Sequence, residues 1–282
     1  MVKKQTISDL IKIQEIRNWS KGDIITITAP TGSGKSHFIK NSVYLVAAER
    51  KQKILFLVHR KRCKQQFFKE LKKDYKLGII NITTYQSLEK NENFDFSEYE
   101  FIVCDEFHYF TSDSEFNYKT DISLEKILRQ TDKIRIFMSA TPKLINSYIK
   151  HRKIETKDYE IEKDFTWMNL NFFNKKADSV KTIIDDVLDK NEKALIFIDD
   201  LSRCYDLYRD YKDYSLFCCS ENKSHYKYVD EEAIEKMLET EKFDKNLLIT
   251  TNVLDAGVNI RDNKIKTIIC SIRDIGVFIL LS

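Results

Sequence analysis

The sequence is short of the two residues that most often interrupt regular structure, glycine and proline. It has six glycines and two prolines in 282 residues, well below the usual share of about 7% and 5%, which argues against disordered linkers and low-complexity segments. No apolar run approaches the roughly 18 residues needed to cross a membrane, and the first residues do not begin an apolar signal segment. We therefore expect a folded protein that works in the cytoplasm and does not bind membranes.

Cysteine and histidine are also scarce, and their spacing does not suit a metal centre. The chain has six cysteines and five histidines, and no two cysteines form the Cys-x-x-Cys pair that is typical of zinc sites. Cys104 and Cys270 lie in apolar runs, where a thiol acts as a small apolar side chain. We interpret the cysteines as reduced and mostly buried, with a metal site as the weaker alternative.

What the chain does contain is a double series of short apolar runs that alternate with helical patterns. The runs are 24–28, 54–58, 79–83, 101–104 and 134–138, then 170–173, 194–198, 215–219, 247–251 and 267–272. Continuous apolar strands separated by helices are typical of a parallel sheet that is covered on both faces. The sequence predicts an α/β fold with two tandem domains, residues 1–155 and 156–282, divided within the polar stretch 149–163.

A glycine-rich segment follows the first predicted strand. It reads Ala29-Pro30-Thr31-Gly32-Ser33-Gly34-Lys35-Ser36. A strand, a glycine-rich turn and a helix start direct several backbone N–H groups at one point, where phosphates bind. In such a loop Lys35 reaches the β- and γ-phosphates and the Ser36 hydroxyl binds Mg²⁺. Ala29 stands where the pattern has its first glycine, so a plain flexible loop is the alternative.

Two carboxylates follow the fourth predicted strand. Asp105 and Glu106 come directly after the apolar run 101–104. Because ligands of open α/β sheets bind at the carboxyl ends of the strands, both side chains should lie near the phosphate-binding loop. We expect Asp105 to bind Mg²⁺ and Glu106 to polarise the attacking water. The structural alternative is an ordinary helix N-cap.

With these motifs in order, the chain resembles the helicases and translocases of superfamily 2. Segment 29–36 resembles their Walker A loop, Asp105-Glu106-Phe107-His108 their DExH box, and Ser139-Ala140-Thr141-Pro142 their Ser-Ala-Thr motif. The resemblance implies two RecA-like domains that bind ATP with Mg²⁺. It also implies that His108, Ser139, Ala140 and Thr141 couple the nucleotide to the nucleic acid.

The same resemblance implies contacts with nucleic acid. Segment 50–76 carries eleven Lys and Arg residues against two acids, which indicates either a phosphate-binding face or a solvated helix face. Segments 57–66, 83–88 and 249–260 are similar to the family's backbone-contacting motifs. They assign nucleic-acid contacts to Arg60, Lys61, Thr84, Tyr85, Gln86 and Thr250, and a close approach to the nucleotide to Gly257. We expect single-stranded or duplex nucleic acid as the partner, with DNA slightly favoured over RNA.

The family's arginine-rich motif VI is expected from about residue 278, where this sequence has an apolar segment instead. Two functions follow as alternatives. One is an ATP-dependent helicase or translocase, and the other is a truncated remnant that binds nucleotide and nucleic acid without efficient hydrolysis. A restriction translocase would share every motif. A kinase or transport ATPase would have no need of segment 139–142.

Overall fold

The computed structural model describes residues 5–30, 32–59, 61–107, 109–112, 120–140, 143–162, 169–173, 177–251, 260 and 262–271. The chain divides into two compact units, Met1–Asp164 and Phe165–Ser282. Each contains a parallel sheet with helices packed against it. The predicted α/β class is confirmed.

The first unit is built on a six-stranded parallel sheet. Its strands are β1 (Ile24–Thr28), β2 (Lys53–Val58), β3 (Ile80–Thr84), β4 (Tyr99–Asp105), β5 (Ile134–Ser139) and β6 (Lys157–Glu160). Their order is β3-β2-β4-β5-β1-β6, and all neighbours are parallel. Because β5 lies between β1 and β4, the loops that follow these three strands meet at one edge.

Helices cover both faces of this sheet. They are α1 (Ile7–Leu10), α2 (Ile13–Arg17), α3 (Lys35–His37), α4 (Tyr44–Glu49), α5 (Lys61–Lys73), α6 (Tyr85–Lys90), α7 (Tyr109–Ser112), α8 (Thr120–Leu128) and α9 (Lys143–His151), and the π-helical stretch Phe38–Val43 joins α3 to α4. In β2, Ile54 and Phe56 pack in one apolar cluster, whereas Leu55 and Leu57 pack in the other. Since successive side chains point to opposite faces, burial of both faces produces the continuous apolar runs of the sequence.

The sixth strand lies beyond the predicted domain boundary. β6 pairs with β1, from Ile25 opposite Lys157 to Thr28 opposite Glu160, so the first unit continues past residue 155. Most β6 side chains are exposed, as suits a charged edge strand, and for that reason no apolar run marks it. Contacts with the N-terminal region fasten this strand. Trp19 Nε1 donates a hydrogen bond to the Tyr159 hydroxyl (3.4 Å), which in turn donates to Glu15 (2.6 Å).

The second unit contains a four-stranded parallel sheet. Its elements are α10 (Ala177–Asp189), β7 (Lys193–Ile198), α11 (Leu201–Asp210), β8 (Ser215–Cys218), α12 (Glu231–Thr240), β9 (Leu247–Thr250) and β10 (Ile265–Ser271), with strand order β10-β7-β9-β8. The longest helices, α5 and α10, have 13 residues. Within the described ranges, no helix has both the length and the apolar character needed to cross a membrane.

The prediction of a strand at 170–173 is wrong. Residues 169–173 have no regular secondary structure. Leu170 is 51% exposed and Phe172 is 92% exposed, and only Phe173 of this run packs against the apolar core of the second unit. The run is therefore apolar without being buried, and hydrophobicity alone could not separate these two cases.

The six cysteines are packed as apolar side chains. Four of them, Cys104, Cys204, Cys218 and Cys219, are buried, and all six are free thiols. Burial raises the pKa of Cys204 to about 12 and that of Cys270 to about 11. These two thiols are therefore protonated at neutral pH, as suits interior packing.

Among the described residues, five helices end with a residue other than glycine in the left-handed region of backbone space. One is Glu241 after α12, with φ 57°, and the other four share a hydrogen-bonding pattern. Lys51, Tyr75, Lys153 and Asn191 follow α4, α5, α9 and α10 with φ values of 57°, 56°, 55° and 50°. After each, the next N–H donates to the carbonyl five residues earlier, as from Lys76 to Leu71. This helix ending usually contains glycine. The scarcity of glycine therefore has a conformational cost at these four positions.

We predict that Lys51→Gly increases the free energy of unfolding by about 0.5–1 kcal/mol, because glycine adopts a positive φ without strain. The matched control is Asn18→Gly, at the end of α2, where φ is −84° and glycine relieves nothing. Urea denaturation of both variants checks this expectation. Equal destabilisation by the two substitutions would contradict it.

Candidate nucleotide-binding site

The residues after β1 form a tight loop against the start of α3. Gly32 and Gly34 have φ values of +76° and +85°, which glycine adopts without strain. The Ser33 N–H donates to the Pro30 carbonyl (3.2 Å), and the Ile7 N–H donates to the Ser33 carbonyl (3.0 Å). A Cβ on Gly32 would meet no atom within 4 Å. The loop is thus closed by its own backbone, braced by α1 and open beside Gly32.

Behind the loop, a helical stretch runs from α3 through the π-helical residues into α4. Phe38 donates its N–H to the Gly34 carbonyl (2.8 Å), and Phe38, Ile39 and Val43 are buried beneath the sheet. The first N–H groups of a helix have no partner within it and carry partial positive charge. Here they lie at Lys35 and at Ser36, which is half-buried.

Lys35 connects the loop to the carboxylates after β4. Its Nζ donates to the Ala29 carbonyl (3.3 Å) and lies 3.2 Å from Glu106 Oε1. Both side chains are largely shielded, with 9% of Lys35 and 17% of Glu106 exposed. The sheet therefore brings together two predicted catalytic residues that are far apart in the chain.

The chain turns sharply at Glu106. Its φ is +48°, a region that costs free energy for any residue other than glycine. The Phe107 N–H donates to the Met138 carbonyl (3.1 Å), and the Tyr109 N–H donates to the Glu106 carbonyl (3.0 Å). These bonds hold the turn in the conformation that places the Glu106 carboxylate beside Lys35.

Tyr85 supports this turn from the interior. Its side chain is fully buried, and its hydroxyl donates to the Asp105 carbonyl (2.9 Å). Burial raises its pKa well above the usual value, so the hydroxyl remains a donor. The Tyr85 side chain has no exposed surface in this structure, and its predicted contact with nucleic acid stays a prediction. Tyr85 positions Asp105.

A buried polar network that the sequence reasoning missed lies behind Tyr85. The Tyr85 ring stacks on Tyr109 with centroids 4.8 Å apart. The Tyr109 hydroxyl donates to Glu89 Oε1 (2.8 Å), which also accepts from Ser123 Oγ (3.1 Å). The available signal was the density of aromatic residues directly after the carboxylates, which indicates that this segment is buried.

Ser139 and Ala140 lie at the end of β5, and both are buried. The Ser139 carbonyl accepts a hydrogen bond from the Ala29 N–H (3.0 Å). The start of the phosphate-binding loop is therefore bonded directly to the segment that was predicted to couple the nucleotide to the nucleic acid.

The remaining residues predicted to contact nucleic acid differ in exposure. Lys61 is exposed at the start of α5, and Gln86 is half-buried. Thr84 is buried, and its Oγ1 accepts the Ser87 N–H (3.2 Å) to cap α6. In the second unit, Thr250 is fully buried and donates to the Thr251 carbonyl (2.9 Å). The predicted nucleic-acid contacts of Thr84 and Thr250 stay predictions.

Five predicted site residues lie outside the described residues. They are Thr31, Arg60, His108, Thr141 and Gly257. Their roles stay predictions.

Comparison with protein families identifies the first unit. The family model described as type III restriction enzyme, res subunit, matches residues 3–78 and 72–144, about half of the chain. The chain belongs to this family. The res-subunit match covers every element of the site in the first unit and lies in helicase superfamily 2, so the resemblance carried by the motifs is confirmed.

Solved structures of helicases have a fold similar to that of this chain. A variant of S. cerevisiae Dbp5, bound to RNA and ADP BeF3, aligns with a TM-score of 0.63 at 14% identity, over 95% of this chain and 77% of that chain. The Escherichia coli DEAH/RHA helicase HrpB aligns with a TM-score of 0.54 at 15% identity, over 88% of this chain but only 35% of its own. These likenesses confirm the RecA-like fold. No curated protein matches the chain in sequence.

We predict that Tyr85→Phe lowers the free energy of unfolding by about 1–2 kcal/mol, because the buried Asp105 carbonyl loses its donor. Amide hydrogen exchange at Phe107 and Tyr109 should accelerate as the turn loosens. Urea denaturation and hydrogen exchange measure the two effects. The matched control is Tyr44→Phe, whose hydroxyl makes no hydrogen bond among the described residues. Equal changes in both variants would remove the positioning role from Tyr85.

Proposed function

We propose that this chain binds Mg-ATP at the loop 29–36 and hydrolyses it to drive movement along nucleic acid, or its unwinding. The observation that carries the proposal is the contact of 3.2 Å between Lys35 Nζ and Glu106 Oε1. It unites the cation that binds phosphate with the carboxylate that activates water. Membership of helicase superfamily 2 supports the same chemistry.

The loop has the donors that a triphosphate needs. Ser33 Oγ is buried, and it has no hydrogen-bond partner among the described residues. A buried hydroxyl without a partner is unfavourable, and a phosphate oxygen would supply one. Together with the backbone N–H groups at the start of α3, Ser33 and Lys35 form a set of donors suited to an anion.

Ser36 and Asp105 fit a magnesium ion. A hydroxyl and a carboxylate provide the hard oxygen ligands that Mg²⁺ prefers, and they come from the two loops that the Lys35–Glu106 contact joins. When bound, the ion would neutralise charge on the β- and γ-phosphates.

Lys35 and Glu106 each have a defined part in the reaction. When phosphate enters the loop, Lys35 turns from Glu106 toward the phosphate oxygens and stabilises their negative charge. The released Glu106 carboxylate then orients a water molecule and accepts its proton as the water oxygen attacks the γ-phosphorus. The bond to the bridging oxygen breaks, and ADP leaves with inorganic phosphate.

Two hydrogen bonds would connect this chemistry to the nucleic acid. The bond from the Ala29 N–H to the Ser139 carbonyl links the loop to segment 139–141. The bond from Tyr85 to Asp105 links the carboxylate turn to the start of α6. We propose that the nucleic acid contacts this edge of the sheet through Lys61 and Gln86.

We propose DNA as the track ahead of RNA, and the cytoplasm as the location. The family description refers to a restriction enzyme, a class that cleaves DNA, whereas the Dbp5 structure contains RNA. An ATPase assay with each polynucleotide distinguishes the two.

We predict that Glu106→Gln retains ATP binding and lowers steady-state ATP turnover by a factor of about 10² or more, since the amide cannot accept the proton from water. Binding is measured with a fluorescent ATP analogue. Turnover is measured without polynucleotide and with single-stranded DNA or RNA. Lys35→Ala serves as the blank.

Undiminished turnover in Glu106→Gln would remove the catalytic assignment. If the parent chain binds ATP but shows no turnover above the Lys35→Ala blank, the alternative of a binding protein without hydrolysis replaces this proposal. Stimulation by one polynucleotide identifies the track.

A further inference from the structure

The outward side of α5 and the turn after it form an exposed surface that the nucleotide site does not use. We call it the α5 face. Its members are Lys61, Gln65, Phe68, Lys69, Lys72, Lys73 and Tyr75, and all are exposed. Positions 61, 65, 68 and 72 follow helical spacing and lie on one side. The opposite side packs on the sheet, where Phe67 contacts Phe56 with ring centroids 4.7 Å apart.

The charge of the α5 face is not neutralised by its own segment. The two acids of this segment, Glu70 and Asp74, form ion pairs with Lys40 and Lys76. In the part of the chain that the structure describes, no carboxylate lies within 4 Å of the ammonium groups of Lys69, Lys72 or Lys73. Three positive charges therefore face solvent together.

Aromatic rings stand among these charges. Tyr75 is 93% exposed and Phe68 is 45% exposed. Lys69, Lys72, Lys73, Tyr75, Leu77 and Gly78 line an open groove of about 690 Å³. Exposed rings beside lysines are the combination that binds single-stranded nucleic acid, because bases stack on the rings while the lysines contact phosphates.

The groove lies away from the nucleotide site. α5 has 13 residues and is therefore about 20 Å long. It begins after β2, at the edge where the strands end, and the groove lies beside the start of β3. Lys61 belongs to the nucleic-acid surface proposed above, so the α5 face continues that surface along the helix.

We propose that the α5 face binds single-stranded nucleic acid as an extension of the track that begins at Lys61. Bases stack on Tyr75 and Phe68, and phosphates contact Lys69, Lys72 and Lys73. This inference rests on the proposed function. An acidic protein segment would also be attracted to the lysines. It would not account for the continuity of the α5 face with Lys61 or for the nearly complete exposure of the Tyr75 ring.

The left-handed backbone at Tyr75 allows a sharp test. Tyr75→Gly removes the ring and relieves strain, so the variant should fold at least as stably as the parent. Lys153→Gly is the matched control, since Lys153 has the same backbone conformation after α9. We expect Tyr75→Gly to weaken binding of fluorescein-labelled dT20 by at least about fivefold. Lys153→Gly should leave binding unchanged, and both variants should retain ATP binding.

The lysines are tested by the dependence of binding on salt. Lys72→Gln with Lys73→Gln should lower the slope of log K against log salt by about 1.4, which corresponds to two phosphate contacts. The control pair is Lys150→Gln with Lys153→Gln, which removes one exposed charge in the last turn of α9 and one just after it. Photocrosslinking of dT20 that contains 4-thiothymidine should map to Phe68 or Tyr75.

The outcomes separate the two proposals. If the parent binds dT20 and Tyr75→Gly binds it as well as Lys153→Gly does, the inference about the α5 face is overturned and the proposed function stands. If the parent binds neither dT20 nor rU20, both fail. A third outcome concerns polyglutamate. If polyglutamate of the same charge as dT20 displaces it, and if Tyr75→Gly weakens polyglutamate binding as much as it weakens dT20 binding, the α5 face is a site for acidic proteins and the inference is overturned.

Discussion

The parallel pairing of β1, β5 and β4 is the constraint on which the site in the first unit depends. Thr28 lies opposite Ser139, and Asp105 lies opposite Met138, so three strands end at the same level. Each strand is followed by a different segment of the site: the loop 29–36, the Ser-Ala segment and the carboxylate turn. A one-residue slip in either pairing would point the side chains of one strand to the opposite face and separate Lys35 from Glu106. The buried apolar residues of both faces therefore fix the geometry of the polar site.

Strain and support are balanced at the carboxylate turn. Glu106 adopts a backbone conformation that its side chain disfavours, and hydrogen bonds from Phe107, Tyr109 and Tyr85 hold it there. The left-handed helix ends at Lys51 and Lys153 have similar φ values, but they follow from a lack of glycine. Glu106 differs from them because it lies between Lys35 and a buried aromatic network, and its backbone conformation directs its carboxylate toward Lys35.

Among the described residues, the sequence predicted nine of the ten strands, because each of the nine is an apolar run of a length typical of strands. The strand predictions failed where an apolar sequence and a buried strand do not coincide. β6 is a strand of mostly polar residues, and 170–173 is an apolar run that forms no strand. The placement of Lys35, Asp105 and Glu106 at one edge of the sheet was predictable, because glycine spacing and strand ends have a direct structural meaning. The burial of Tyr85 and Thr250 was not predictable, since a polar residue at a strand end has the same sequence pattern whether its side chain faces a ligand or the interior. Glu89 and Ser123 gave no local signal, because only the tertiary fold brings them to Tyr109.

The brace between α1 and the phosphate-binding loop gives the first unit an optical reporter. Ile7 bonds to Ser33 through its backbone, and it shares one apolar cluster with Ile11, Ile16 and Trp19. The indole of Trp19 also bonds to Tyr159 on β6. A shift of the loop would therefore reach, through packed side chains, a buried fluorophore whose emission depends on its surroundings. After Trp167→Phe removes the other tryptophan of the chain, the emission of Trp19 is expected to respond to a nucleotide bound at the loop without an added label.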